Sequence, residues 1–479
     1  MQLVNAEEPV PESELSDAGT LDCRGRLLLP GLNDAHVHAI ATGMLMLTED
    51  IRSITSLDDL ADAIRAEAAK SKPAVRLGGL DRNKLPHADE QRLSMRWLDD
   101  VVPDRPLFIK SIEGHSGWYN AHAWEMIGAD AVLARFATTQ EAAQMHQQGR
   151  IHGHAYEELT TPVYDSFSFE ERREGMQLVL TEAARVGLTG IHCLEGYGEF
   201  RRHDFELIME LDGQGCDLTL YARDETPELA AELGLTRFGG CWCVDGAIGS
   251  QSAAVSAPYT ECDGDHCCGE LYFDYATLSA WVESGLSRGM QVCNHAIGDR
   301  AIDQILDVYE ELSQRYDLGP LRPRIDHFVL GNEQQAKRAA SLGLCCAMQP
   351  AFDAAWGGPG GGYAKRLGPE RAMQSNPVGM AVRSGFRIAG SSDAYITPLD
   401  PLGGIHAAMQ HHNPEMRVDF DTAVRLFTED AAYLAHQEES RGRIAEGHQA
   451  DFTIVDGDRC MLSATVSATI KNGEIVYAR

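Results

Sequence analysis

Apolar and polar positions change rhythm several times along this chain. Residues 1–30 are polar until Leu21-Asp22-Cys23-Arg24-Gly25-Arg26-Leu27-Leu28-Leu29, which predicts one or two strands. A further apolar step at Leu32 runs into His36-Val37-His38. Residues 56–70 predict a helix, with Ser56 as cap, Asp58 and Asp59 in the first turn, helical apolar spacing and a Lys70 exit. From there to about residue 161 the pattern is irregular. Strand-like pieces at 75–77 and 107–110 and a helical piece at 120–127 lie among Pro and Gly, too long for a loop and so read as an inserted subdomain. From about residue 169 a regular alternation sets in. Helices at 170–185, 203–212, 300–316 and 334–342 lie between strands at 187–194, 216–222, 241–244, 290–295, 323–327, 344–348 and 386–393. With the strand carrying His36 and His38 this makes eight, mostly alternating with helices, which predicts an α/β fold built on a (β/α)₈ barrel. Residues 447–455 and 468–477 read as a strand and a hairpin turning at Asn472-Gly473.

Composition narrows the picture without changing it. The chain has 479 residues, 44% hydrophobic and 24% charged, enough for one large barrel with appendages or for two to three ordinary domains. No apolar run approaches a membrane span, and the first residues lack the basic and apolar regions of a secretory signal. A net charge of −31 speaks against nucleic-acid and anionic-membrane partners, which need a positive face. The 12 cysteines are scattered, predicting a reducing cytoplasmic setting with mostly buried thiols. Cys262, His266, Cys267 and Cys268 cluster in one stretch, without the paired spacing of a structural metal site, and read as a loop with incidental thiols.

The chemistry gathers at strand ends. On an extended segment, residues i and i+2 point the same way, so His36 and His38 leave one face together. His152-Gly153-His154 has the same spacing but sits among polar residues with a glycine between, a poor strand. His295, His327 and Asp393 fall at the ends of later strands, where barrel enzymes place reactive groups. Each alone reads more readily as a satisfied core or surface histidine, or for Asp393 as a turn cap. Together they form a nitrogen-rich set with one carboxylate, the type that holds catalytic zinc, with iron as the alternative.

Pro30-Gly31-Leu32-Asn33-Asp34-Ala35-His36-Val37-His38 resembles the first metal motif of the amidohydrolase superfamily. The likeness extends to its amidohydrolase-3 branch, which includes N-substituted formamide deformylase. The blocks that carry it include residues 187–192, Asp245-Gly246-Ala247-Ile248-Gly249-Ser250, His295-Ala296-Ile297-Gly298-Asp299-Arg300, Ile325-Asp326-His327, Gln349-Pro350, Gly390-Ser391-Ser392-Asp393 and the insertion motif at 114–120. The resemblance implies a TIM-type barrel with a small β-sandwich from both chain ends. It divides the chain into 1–30 (sandwich), 31–48 (first barrel strand), 49–165 (inserted subdomain), 166–434 (rest of the barrel) and 435–479 (sandwich). It further implies metal-dependent hydrolysis of a C–N bond, with His36, His38, His295, His327 and Asp393 as metal ligands or near-ligands. Asp393 would carry a proton from metal-activated water to the leaving nitrogen, and His327 would bind a second metal or donate to the oxyanion.

One departure stands out. The branch commonly has a lysine four residues before the Asp-Gly pair, whose carbamate can bridge two metals; here the residue is Cys241. A thiolate ligand and a buried structural thiol both fit, and one divalent ion, zinc first, is expected over a Cys-bridged pair. His115, Trp118 and Glu157 are weaker candidates for the substrate side, and the glycine-rich residues 356–363 read as a mobile rim. The expected function is hydrolysis of an amide, formamide or related C–N bond of a small molecule. Deamination of a heterocycle, or a non-catalytic metal- or ligand-binding barrel, are the alternatives; the sequence leaves the oligomeric state open, with a homodimer the common outcome for such enzymes.

Overall fold

A computed structural model describes residue 23 and residues 25–70, 72–112, 114–196, 198–260 and 267–479, with the side chains of residues 157 and 160–163 outside that set. The apolar run at 27–29 forms β1 (Leu27–Pro30), and β2 (Leu32–Val37) follows after Gly31. The inserted region carries β3 (Glu49–Asp50), β4 (Val75–Leu80), β5 (Leu107–Ser111), β6 (Ser116–Tyr119) and β7 (Arg150–His152). They make one sheet in that order, parallel from β3 to β5 and antiparallel from β5 to β7. Its helix Leu57–Ala68 starts where Ser56 accepts from the Asp59 amide, as the sequence predicts.

The regular half supplies β8 (Leu188–Glu195), β9 (Asp217–Ala222), β10 (Arg237–Cys243), β11 (Gln291–Ala296), β12 (Arg324–His327), β13 (Cys345–Met348) and β14 (Arg387–Gly390). With β2 they form an eight-stranded parallel sheet in the order β14-β13-β12-β11-β10-β9-β8-β2. The two edges of that sheet meet. Val37 makes a parallel bridge to Ala394, the His38 amide donates to the Ala394 carbonyl at 2.8 Å, and the Asp393 amide donates to the His36 carbonyl at 3.0 Å. Below this seam the Asp34 carboxylate accepts from the Ser392 amide at 3.0 Å. The barrel is therefore stitched shut by the backbone of residues singled out for their side chains. β10 begins earlier than its expected start at residue 241. Gly239-Gly240, where the register against β11 shifts, gave that stretch the look of a turn.

Helices cover the outside of the barrel. The helix Ala39–Met46 packs on Phe169–Val186 so closely that a Cβ at Gly43 would lie 2.4 Å from the Gly175 carbonyl carbon. Only glycine permits that crossing. The chain ends contribute the sandwich region, whose described residues form one antiparallel sheet, β1 with β15 (Phe452–Asp456), β16 (Thr465–Lys471) and β17 (Glu474–Ala478). Asn472 and Gly473, both at positive φ, make the expected turn between β16 and β17. Thr469 Oγ1 and Thr453 Oγ1 donate to the carbonyls of Ala184 and Gly187, fixing this sheet to the end of the helix Phe169–Val186.

The cysteine-rich loop departs from expectation. Cys267 is disulfide-bonded and not a free thiol, while Cys262 and His266 lie outside the described residues. The loop doubles back, with the Tyr259 amide donating to the Cys267 carbonyl at 2.8 Å and the Val255 amide to that of Cys268 at 2.9 Å, which brings distant parts of it side by side. Among the described residues no helix is long and apolar enough to cross a membrane.

Candidate metal centre

The rim of the barrel at the C-terminal ends of its strands gathers His36, His38, Cys241, His295, His327 and Asp393 in one buried cluster. His36 and His38 project together from the end of β2, as period-two geometry requires. Their Nε2 atoms each lie 3.4 Å from Asp393 Oδ1. His327 Nδ1 is 3.8 Å from Asp393 Oδ2, and Cys241 Sγ lies 3.8 Å from His295 Nδ1 and 3.7 Å from His327 Nε2. Cys241, His327 and Asp393 all hold left-handed backbone, with φ of 69°, 73° and 55°. Such strain costs about 1–3 kcal/mol per residue and persists only where surroundings over-determine it, as at functional sites.

Each imidazole is aimed by an acceptor at its other nitrogen. His36 Nδ1 meets Asp326 Oδ2 at 2.7 Å, His38 Nδ1 the Leu194 carbonyl at 2.9 Å, His295 Nε2 the Gly246 carbonyl at 3.2 Å, and His327 Nδ1 Gln349 Oε1 at 2.9 Å. An acceptor there fixes the proton on that nitrogen and leaves a lone pair on the one facing the cluster, the arrangement of metal-binding histidines. Asp326 is itself held by Arg324, whose Nε and Nη2 donate at 3.1 and 2.6 Å, and by the Ala347 amide at 3.0 Å. Burial opposes its charge, but Arg324 and His36 hold its carboxyl far below the ordinary range.

The electrostatics suit a cation. Burial lowers His38 and His295, and brings His327 down to about 4, so these three rings are neutral at pH 7. Burial alone would raise the Asp393 carboxyl, yet His36, His38 and His327 keep it below its usual value and thus ionised. Burial pushes the Cys241 thiol well up. His36 Nε2 and Asp393 Oδ1 are buried with no hydrogen-bond partner. Two buried polar atoms face each other unsatisfied, and with the neutral imidazoles and the carboxylate around them they fit a cation.

The weaker candidates divide. His115 reaches the cleft, its ring 5.3 Å from that of His295. Trp118 does not come to the cluster: β6 buries it in the core of the inserted sheet under the Arg150 guanidinium. Glu157 lies in the helix His154–Asp165, and its side chain falls outside the described set. Of the glycine-rich rim, Trp356 and Tyr363 line the outer cleft together with Phe352, whose ring stacks over His327 at 6.4 Å. Asp326 and Gln349 were visible as motif residues but carried no assigned part. The sign that marks Asp326 is its period-two pairing with Arg324, which puts an ion pair inside a barrel strand.

The amidohydrolase family model matches residues 19–477. A putative amidohydrolase, YtcJ of Bacillus subtilis, is 26% identical over 98% of this chain and 91% of its own length. N-substituted formamide deformylase of Arthrobacter pascens is 22% identical over 95% of this chain and 88% of its own. Among solved structures, an uncharacterized metal-dependent hydrolase from Pyrococcus horikoshii superposes with a TM-score of 0.71 at 21% identity, covering 95% of this chain and 90% of that one. A 5-methylcytosine deaminase from Klebsiella pneumoniae gives 0.54 at 14% identity, over 97% and 90%, a likeness of fold. Eight parallel strands closed into a barrel, a sheet shared by both chain ends and a family match along nearly the whole length lead to one conclusion: this chain belongs to the amidohydrolase family of hydrolases.

Proposed function

We propose that the protein hydrolyses an amide, N-substituted formamide or related C–N bond of a small molecule, with a divalent ion, zinc first, held by His36, His38 and Asp393. The observation that carries this reading is the pair of 3.4 Å approaches of the two Nε2 atoms to Asp393 Oδ1, a buried carboxylate oxygen left without a hydrogen-bond donor. A cation bound there supplies Lewis acidity and acidifies a water enough to give hydroxide near neutral pH. Asp393, kept ionised by its neighbours, is the group that takes the water proton and delivers it to the leaving nitrogen. With its proton held on Nδ1 by Gln349 and its ring neutral, His327 offers a lone pair at Nε2, which supports a ligand part over donation to an oxyanion. Phe352, Trp356 and Tyr363 wall the cleft outside the cluster and exclude water from the reacting bond.

The test is chelation, reconstitution and product analysis across N-substituted formamides, other amides and amino-heterocycles. Loss of turnover on chelation, recovery with zinc, and release of an acid with an amine are expected. Ammonia from a heterocycle would move the assignment to deamination. Tight metal binding with no turnover of any of these would leave a binding barrel.

A further inference from the structure

We infer that an apolar chamber beside the histidine cluster receives an uncharged aryl or alkyl substituent of the substrate, with Tyr119 donating to an acceptor atom on it. The inference rests on the hydrolase reading above and names the substrate class of that site. The chamber lies between the barrel and the inserted sheet. One wall is a stripe of the helix that follows His38, where Ala41, Met44 and Leu45 fall at helical spacing. Gly43 sets the other side of that helix against Gly175. The facing wall is one face of the sheet. Arg76, Phe108 and Tyr119 are cross-strand partners in a row over β4, β5 and β6, and all three line the chamber. The alternation that buries Trp118 in the subdomain core therefore turns its neighbour Tyr119 toward the barrel.

The chamber adjoins the cluster through shared residues. Tyr164 and Tyr395 line both the chamber and the cleft that holds His38, His295, His327 and Asp393. Lys110 fixes this partition, its Nζ donating to the Tyr164 hydroxyl at 2.9 Å and lying 3.7 Å from the Tyr395 ring centre. The Tyr395 ring is in turn 6.1 Å from that of His38. Two features select the occupant. The wall is mostly aromatic and aliphatic, and its two cations are engaged with protein groups. Lys110 holds the tyrosines, and Arg76 donates to Ser166 Oγ at 3.1 Å with its guanidinium 4.2 Å from the Phe167 ring centre. A charged substituent would lose its hydration there, whereas an apolar one gains by burial. Tyr119 supplies the polar handle. It is 2% exposed, and its hydroxyl has no hydrogen-bond partner among the described residues. Burial holds its pKa above the ordinary tyrosine value, so it stays a protonated donor. Buried hydroxyls normally have partners, and an acceptor on the ligand completes this one. Gly117 leaves it room, since a Cβ there would lie 2.7 Å from the hydroxyl oxygen.

The full-length zinc-loaded protein tests this with formamides varied on nitrogen and N-methylamides varied on the carbonyl. In one series kcat/KM should rise about 10- to 100-fold from a methyl to a benzyl group, and fall for groups bearing an amine or carboxylate. Leu45→Trp, which fills the chamber from its half-buried helix wall, should cut the benzyl-to-methyl ratio about tenfold or more. One methoxybenzyl isomer should be preferred over benzyl by about 3- to 10-fold, and Tyr119→Phe should erase that preference. The wild-type series and Tyr119→Phe carry the test if Leu45→Trp fails to fold. Saturation-transfer NMR with methoxytoluenes, which cannot be hydrolysed, reads the chamber without turnover; they should bind the wild type and not Leu45→Trp. Binding lost in that variant, with no amide turned over, would overturn the hydrolase reading and keep the chamber. Turnover that is flat across both series, favours a charged group, or keeps its benzyl preference in folded Leu45→Trp would overturn the chamber and keep the hydrolase. A methoxy preference that survives Tyr119→Phe would overturn the Tyr119 contact.

Discussion

The chain contains two His-x-His pairs, and their fates differ. His36 and His38 stand on a strand that closes the barrel, so both rings point to the same buried carboxylate. His152 and His154 have the same spacing, but Gly153 between them takes φ of 67° and turns β7 into the helix His154–Asp165. The two rings then part. His154 stacks on Tyr272 at 4.8 Å and 12°, and His152 sits beside Arg150 and Arg82, its pKa brought down to about 3 by burial and then by those charges. Spacing makes a pair of ligands only where the backbone stays extended and a counter-charge waits opposite.

Substitutions should widen this contrast or erase it. The largest effect is expected for Asp393→Asn, with kcat down about 10²- to 10⁴-fold. Turnover and bound metal measured together separate the proton-carrying part from the ligand part, and unchanged turnover would remove Asp393 from the chemistry. Next comes Asp326→Asn, which lets His36 rotate and should weaken metal binding about 10- to 100-fold by competition with a chelator. The same change strips the buried Arg324 of its carboxylate, an expected loss of about 3–5 kcal/mol in denaturant unfolding. His152→Asn should spare metal content and turnover and act only on acid stability. With its folded pKa near 3 against an ordinary value of 6.5, His152 binds fewer protons folded than unfolded between those limits. It therefore removes stability as pH falls through that window, by up to about 1.4 kcal/mol per pH unit, and the variant's unfolding curve should be flatter there. The smallest effect belongs to His154→Ala: turnover within about twofold of wild type and about 1 kcal/mol of lost ring stacking. A large loss of metal in either of these last two would break the contrast.

Much of the barrel could be read from the chain because parallel strands buried on both faces are apolar runs between amphipathic helices, as at 187–194 and 290–295. Strand ends then pointed to His295, His327 and Asp393 without coordinates. What the chain concealed depends on register and on neighbours across space. Trp118 follows a motif that reaches the cleft at His115, yet strand alternation and an overlying arginine put it in the subdomain core. Asp326 and Gln349 show their purpose only when the sheet closes into a barrel, because each acts through the far nitrogen of another residue's ring. Asp326 of β12 reaches across the interior to His36 of β2, and Gln349 after β13 reaches His327 of the neighbouring β12. β6 and β7 escaped notice because three- and four-residue strands are too short to display a period.

The seam that shuts the barrel has a consequence for biosynthesis. Ribosomes deliver His36 and His38 early, while their carboxylate companion arrives only with the last stave. A half-made polypeptide can offer a passing ion two imidazoles and little else, so firm capture must await docking of the final strand. An ion held as proposed by His36, His38 and Asp393 would be a rivet across this joint, and the finished enzyme should then resist heat in proportion to the logarithm of free metal.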